Sequence, residues 1–322
     1  MDKDRRAEKR GLSKKSKDAV FIYGFLAWPI LHFLVFWVAM NVGTVYNSFF
    51  EISIVNGRTF VWFENYKEMF RFIFGVKERG ILNWHGVLNS LSLIPLAVFI
   101  NMPITLFFAY GIYKKVFGYK VFRTVLFLPA IVSTVVLCLA FRLALDSQKG
   151  IIVPILRLFG LAGDGSGYDT GVVPVGGWLG NDETMWGAIL VFSVWTGVSG
   201  NIIYFTSSMA RFPESVFESA KIDGATELRQ FFSIALPMIW PTVTTMTITL
   251  VAAVFSWFMP SLLLTDGADR ATTIGLMITQ TVVVDENSTV ICAFGVIVAV
   301  FGAALILSVR KLMEKLTTEV EY

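Results

Sequence analysis

Polar and apolar positions divide this chain into six long uncharged runs: Ala19 to Phe50, Gly86 to Tyr113, Thr124 to Phe141, Trp186 to Ala210, Leu236 to Thr265 and Ser288 to Val309. A bilayer core takes about 20 helical residues to cross. The runs therefore predict an all-α integral membrane fold with six transmembrane helices, the third the shortest. The spans fall at about 20–46, 86–112, 122–145, 186–209, 236–264 and 289–310, one transmembrane domain over 20–311 between tails 1–19 and 312–322. Residues 211–235, between the fourth and fifth runs, are polar and helix-forming. Pro213 suits the first position of a helix, having no N–H to leave unpaired. Asp223-Gly224 marks a turn, with Gly224 free to take positive φ and Asp223 able to cap the next helix. That second helix, from Ala225, should end near Leu236, because Pro237 disfavours α geometry in the residue before it.

Composition agrees, with 55% hydrophobic and 16% charged residues and a mean hydropathy of +0.66, too apolar for a soluble domain. With the N-terminus inside, the inner segments carry 18 of the 27 lysines and arginines, which places both termini and residues 211–235 in the cytoplasm. The net charge of +3 is thus a topology signal rather than a nucleic-acid footprint. The basic N-terminal tail reads as an anchor for a retained first span, since the run after it exceeds a signal-peptide core and ends without a small-x-small site. Cys138 and Cys292 lie within apolar runs and read as buried free thiols.

If a membrane protein of this kind moves a solute against a gradient, it needs an energy source. The chain has no G-x-x-x-x-G-K-[ST] loop, no Cys/His metal cluster and no Ser/His/Asp set, and its only histidines are His32 and His85. No series of acids crosses the predicted spans as a proton relay would. Energy must come from a partner.

Glu218, Ala220, Gly224, Ile234, Leu236 and Pro237 fit the spacing E-x-A-x3-G-x9-I-x-L-P. This resembles the EAA signature of ABC importer permeases, with Ser219 where the family most often has alanine. Arg123, Phe127, Leu128 and Pro129, then Phe141, Arg142, Asp146 and Gly150, resemble the opening and close of a span in the carbohydrate-uptake group. Trp195 and Gly200 stand at that group's usual distance before Phe212-Pro213. Leu264-Thr265-x-Gly267 resembles its outer loop, although Ala268-Asp269 replaces the usual Gly-Pro portion. The resemblance covers residues 20–310. It implies a type I ABC importer permease in the bacterial cytoplasmic membrane, with a coupling helix in 211–235. The coupling contacts it implies lie at Glu218, Ser219, Ala220, Asp223, Gly224, Ala225, Ile234, Leu236 and Pro237.

The implied partners are a second homologous permease, two ATPase subunits that hold the ATP and Mg, an extracytoplasmic solute-binding protein and the bilayer. The chain itself needs no cofactor or metal, hydrolyses nothing and binds no nucleic acid. The resemblance is to sugar permeases of the maltose, lactose and glycerol-phosphate type, and the implied cargo is a sugar or oligosaccharide. A polyol, glycerol phosphate or another polar solute is the nearer alternative, and an ion-coupled secondary carrier the more distant one. Polarity and position single out Asn89, Trp195, Asn201, Ser256 and Trp257 as pathway candidates. Pro95 and Pro103 suggest a helix that lines the pathway or one kinked for packing, and Phe255 to Phe258 either an interface belt or a sugar-stacking surface. Arg142 reads as a snorkelling interfacial charge. The aromatic and charged loop 47–85 reads as an amphipathic helix on the membrane interface or a contact for an external partner, and glycine-rich 145–185 as an outer cap with a short helix over Ile151 to Leu158.

Overall fold

The computed structural model describes residues 14–53, 57–75, 83–146, 150–161, 173–174, 177–284 and 289–316. The first apolar run forms one rod: α1 (Lys14–His32), a π-helical turn (Phe33–Val38) and α2 (Ala39–Asn47). No residue from Phe21 to Asn47 is buried. The second run is likewise continuous, with α4 (Trp84–Pro95), a π turn (Leu96–Asn101) and α5 (Met102–Tyr113). The second wide turn runs into Pro103, whose missing N–H would leave a carbonyl of the preceding turn without its α partner.

Among the described residues four helical stretches, Phe21–Asn47, Trp84–Tyr113, α9 (Met185–Met209) and α16 (Thr289–Lys315), are long and apolar enough to cross a membrane. The number reaches six when each of two bent pairs is taken as one crossing. The first pair corrects the continuous third span. α6 (Tyr119–Ile131) and α7 (Thr134–Ala144) meet at 109°, because Val132 and Ser133 are extended, with ψ of 140° and 138°. At a rise of 1.5 Å per residue, α6 covers about 20 Å and α7 about 17 Å, so neither alone crosses a core of about 30 Å. Pro129 inside α6 withholds a hydrogen bond from its last turns.

The second pair follows α10 (Glu214–Ile222). α11 (Glu227–Gln230), a π turn (Phe231–Ala235) and α12 (Leu236–Met238) run on through Pro237, and the chain bends by 71° at Ile239 into α13 (Trp240–Val254). The helix expected to end near Leu236 therefore continues to Met238, the π turn absorbing the proline's missing donor. α13 in turn stops well short of residue 264. α14 (Met259–Thr265) starts afresh with Pro260 in its first turn, where proline is tolerated.

The loop after α2 holds an unforeseen hairpin, β1 (Phe50–Ser53) antiparallel to β2 (Gly57–Phe60), pairing Phe50 with Phe60 and Ser53 with Gly57. α3 (Glu64–Phe74) buries Asn65, Met69 and Ile73 on one face and packs on α16. Asn65 Nδ2 donates to the carbonyls of Ser48 and Phe50, both at 2.9 Å, tying α3 to the hairpin. So α3 is amphipathic as expected, but its inner face meets protein. α8 (Ile152–Leu158) forms where a short helix was expected, while most of the glycine-rich stretch lies outside the described residues. A 3-10 turn (Asp269–Ala271) and α15 (Ile274–Val284) precede α16.

Three apolar clusters hold these pieces. One joins α5, α9, α10 and α13 through Leu106, Phe205, Met209, Phe217 and Val243. Another joins α3, α15 and α16 through Met69, Met277 and Phe294. A third joins α7, α9 and α14 through Cys138, Phe192 and Leu264. Gly197 faces Asn101, whose Nδ2 donates to the Ser193 carbonyl at 3.3 Å, so the missing side chain lets the second and fourth spans approach closely.

Candidate functional site

The signature segment is a short helix with a fully closed end. Pro213 is its N-cap, with φ −65° and ψ 121°, and Glu214 begins α10, an acidic residue where the helix dipole favours one. Past Ile222 the Gly224 N–H donates to the Lys221 carbonyl at 3.1 Å and the Ala225 N–H to the Ala220 carbonyl at 2.9 Å. That pair of bonds, with Gly224 at φ +76°, is a Schellman turn. Asp223 therefore ends α10 instead of capping the next helix. Thr226 does that, its Oγ1 accepting from the Arg229 N–H at 3.4 Å, because only after the left-handed residue does the chain re-enter extended geometry at Thr226, the conformation of an N-cap.

α10 is held by its one buried side chain, Phe217, which stacks on Phe212 at 5.6 Å and tilts against Tyr113 at 5.5 Å. Glu218, Ser219, Asp223 and Gly224 are exposed, and Ala220, Ala225, Ile234, Leu236 and Pro237 half-buried. A cavity of about 710 Å³ opens beside α10, lined among others by Lys115, Arg123, Glu214, Glu218 and Lys221.

A polar cluster missed in the sequence seats this unit. Lys114, the C-cap of α5, places its Nζ 2.6 Å from Gln230 Oε1 and 3.0 Å from Glu227 Oε2. The Tyr110 hydroxyl donates to the same carboxylate at 3.1 Å. Buried Gln230 donates from Nε2 to the Ala225 carbonyl at 2.8 Å. Lys114 Nζ also lies 5.1 Å from the centre of the Phe217 ring. Its hydrogen bond holds the Glu227 carboxyl below the ordinary carboxylate range, against desolvation, with further help from the lysine charge and the tyrosine hydroxyl. In the sequence Lys114 is one basic residue of a loop, with no local sign of a partner 116 positions away.

The pathway candidates divide. Ser256 and Trp257, between α13 and α14, line a cavity of about 370 Å³ with Val132 and Thr134 of the α6–α7 break and Phe192 and Thr196 of α9. Its full lining carries no charged side chain. Trp195 stands beside it, stacked on Phe141 at 6.3 Å and edge-on to Phe192 at 6.0 Å. Asn201 and Asn89 lie outside this cavity. Asn201 Nδ2 bonds the Gly197 carbonyl at 2.9 Å on its own helix. Asn89 Nδ2 donates to the carbonyls of Arg270 and Thr272, both at 2.9 Å, and so secures the 3-10 turn. Arg142, read from the sequence as an interfacial charge, has a partner. Its guanidinium meets both carboxylate oxygens of Asp266, at 3.0 and 3.2 Å, and joins α7 to the end of α14. Asp266 reaches it from a left-handed position, φ +53°.

Residues 101–318, α5 through α16 with both bent pairs and the signature segment, match the model of the family described as binding-protein-dependent transport system inner membrane component. The chain belongs to this family. The permease is 27% identical over 223 residues to a probable ABC transporter permease protein, YurN, of Bacillus subtilis, covering 69% of this chain and 70% of that one. It is 26% identical over 232 residues to the arabinooligosaccharides transport system permease protein AraP of the same organism, covering 71% and 67%. A 160-residue stretch, 49% of the permease and 50% of the relative, is 32% identical to the sn-glycerol-3-phosphate transport system permease protein UgpA of Escherichia coli. Its fold is also that of a bacterial ABC transporter involved in alginate import, with a TM-score of 0.75 at 20% identity over 95% of this chain and 99% of that one. The permease is accordingly an integral inner-membrane component of an ABC import system, as its sequence led us to expect.

Proposed function

We propose that this permease forms the pathway for a neutral sugar or oligosaccharide, handed over by an extracytoplasmic binding protein and driven by two cytoplasmic ATPases that grip α10. The observation that carries the cargo class is the uncharged cavity at the two helix breaks, where Trp257 and Phe192 offer aromatic faces and Thr134, Thr196 and Ser256 offer hydroxyls. Its volume, about 370 Å³, lies within the range of small-ligand sites. A relative carries arabinooligosaccharides by name and another sn-glycerol-3-phosphate. A phosphate ester binds best beside a cation, and the cavity lining has none, which favours the sugar.

The coupling role is supported by a rigid, surface-exposed α10 whose single buried anchor, Phe217, transmits its motion to α5. The contacts we assign to the ATPase are Glu218, Ser219, Ala220, Asp223, Gly224 and Ala225, with Ile234, Leu236 and Pro237 joining them to the fifth span. A second permease subunit is supported by the first span, which buries no residue from Phe21 to Asn47 and meets the rest of the chain mainly through α2, on α16 and β1. Both termini then lie in the cytoplasm.

The test is uptake into vesicles holding the assembled transporter, with radiolabelled arabinotriose and glycerol 3-phosphate compared. ATP-dependent sugar uptake that drops on Trp257→Ala supports the reading. Solute flux by the chain alone without ATP overturns it in favour of a secondary carrier, and a preference for the phosphate ester overturns the cargo class.

A further inference from the structure

We propose that Lys114 is a positioning residue that locks α10, α11 and the end of α5 into one rigid body, so that force applied to α10 reaches the membrane helices without being lost in the turn at Gly224. This rests on the coupling reading of α10 given above.

The end of α5 meets α10 and α11 from a distant part of the chain. Nothing in the backbone alone fixes the angle between α10 and α11, because the Schellman turn closes α10 only upon itself. Tyr113 packs on Phe217 of α10 and Tyr110 bonds Glu227 of α11; Lys114 adds one side chain that touches both helices. Its backbone is set as the C-cap of α5, where the Lys114 N–H donates to the Tyr110 carbonyl at 2.9 Å. The helix dipole favours a cation at that end. From there the ammonium reaches both helices: the Phe217 ring of α10 at 5.1 Å, and the Glu227 carboxylate and Gln230 amide of α11 at 3.0 and 2.6 Å. Gln230 then carries the constraint into the turn itself, since its Nε2 holds the carbonyl of Ala225, the residue after Gly224. A hydrocarbon side chain at position 114 leaves the buried Gln230 Oε1 without this donor, and the amide is then free to turn away from Ala225.

Glu227 is solvent-accessible, with 64% of its side chain exposed, whereas the lysine side chain is only 22% exposed. The carboxylate is thus the dispensable member and Gln230, 1% exposed, the essential one. This ordering separates a lock from an ordinary surface ion pair, in which the two charges matter equally.

The experiment uses the whole transporter, with its ATPase pair and binding protein, reconstituted in nanodiscs. Three quantities are read: recovery of the ATPase with the permease, stimulation of ATP hydrolysis by the loaded binding protein, and amide exchange over 218–230. Lys114→Met and Gln230→Met should keep the ATPase bound, exchange about tenfold faster in that segment and lose most of the stimulation. Gln230→Glu, which can still accept from Lys114 but has no donor for Ala225, should exchange faster too, and Glu227→Gln should stay near wild type. Normal exchange and stimulation in both methionine variants overturns the lock, as does Glu227→Gln behaving like Lys114→Met. Failure of the coupling reading has a different signature: wild-type permease that retains no ATPase, or whose hydrolysis ignores the binding protein. Should Lys114→Met not accumulate, Gln230→Met, which removes the same bond from the other side, decides the matter by its exchange rate.

Discussion

Gly224 offers the sharpest test of how the signature works, because its environment isolates one physical cause. The residue has φ +76°, and a Cβ built there meets nothing within 4 Å. Any effect of substitution thus comes from the backbone and not from crowding. An L-residue held in the left-handed region costs roughly 1–2 kcal/mol, most for a β-branched side chain and least for asparagine. The permease will not unfold at that cost, but the balance between the closed Schellman turn and an open one shifts by a factor of about 5–30. The predicted order of turn closure is Gly ≈ Asn > Ala > Val. Amide exchange at Gly224 and Ala225, whose N–H groups close the turn, reports it directly, and recovery of the ATPase with each variant reports its consequence. If Gly224→Val and Gly224→Asn exchange alike and retain the ATPase alike, positive φ is not what the glycine provides.

Asn89→Ala removes the donor shared by two backbone carbonyls, one of them on buried Thr272. The expected loss is about 1–3 kcal/mol, seen as a lower thermal midpoint in detergent with normal uptake per folded molecule; the opposite pattern returns Asn89 to the pathway. Arg142→Ala should lower stability by no more than about 1 kcal/mol, since its pair with Asp266 is exposed, and a double-mutant cycle with Asp266→Ala measures that coupling. The contribution of Glu227 has a definite pH sign. Its folded-state carboxyl is depressed, so the stability it adds is present at neutral pH and lost as pH falls through that lowered value. Because that carboxylate is exposed, its contribution is small: protection over 218–230, corrected for the intrinsic pH dependence of exchange, should change little through this range, and Glu227→Gln should match it.

Much of this protein was legible along the chain. Run length and the lysine and arginine bias predicted a polytopic helical membrane protein, and the spacing from Glu218 to Pro237 identified the signature before any contact was known. These are sums over one stretch of chain, and hydropathy needs no knowledge of what lies opposite. The hairpin has a local sign where β1 turns into β2: Asn56-Gly57 between β-prone runs, the dipeptide of tight hairpins. Other features had no such sign. Helix breaks at Val132–Ser133 and after Val254 vanish in a window average, since the residues there are apolar or small. The bonds that set the angles, Lys114 to Gln230 and Arg142 to Asp266, join positions 116 and 124 residues apart. Each of those side chains has an ordinary solvated reading by itself. What the sequence determined alone was the set of segments that prefer lipid and the one that prefers a partner. Tertiary structure decided where the spans bend and which charges meet, because a paired charge and a solvated one differ only in what the fold brings beside them.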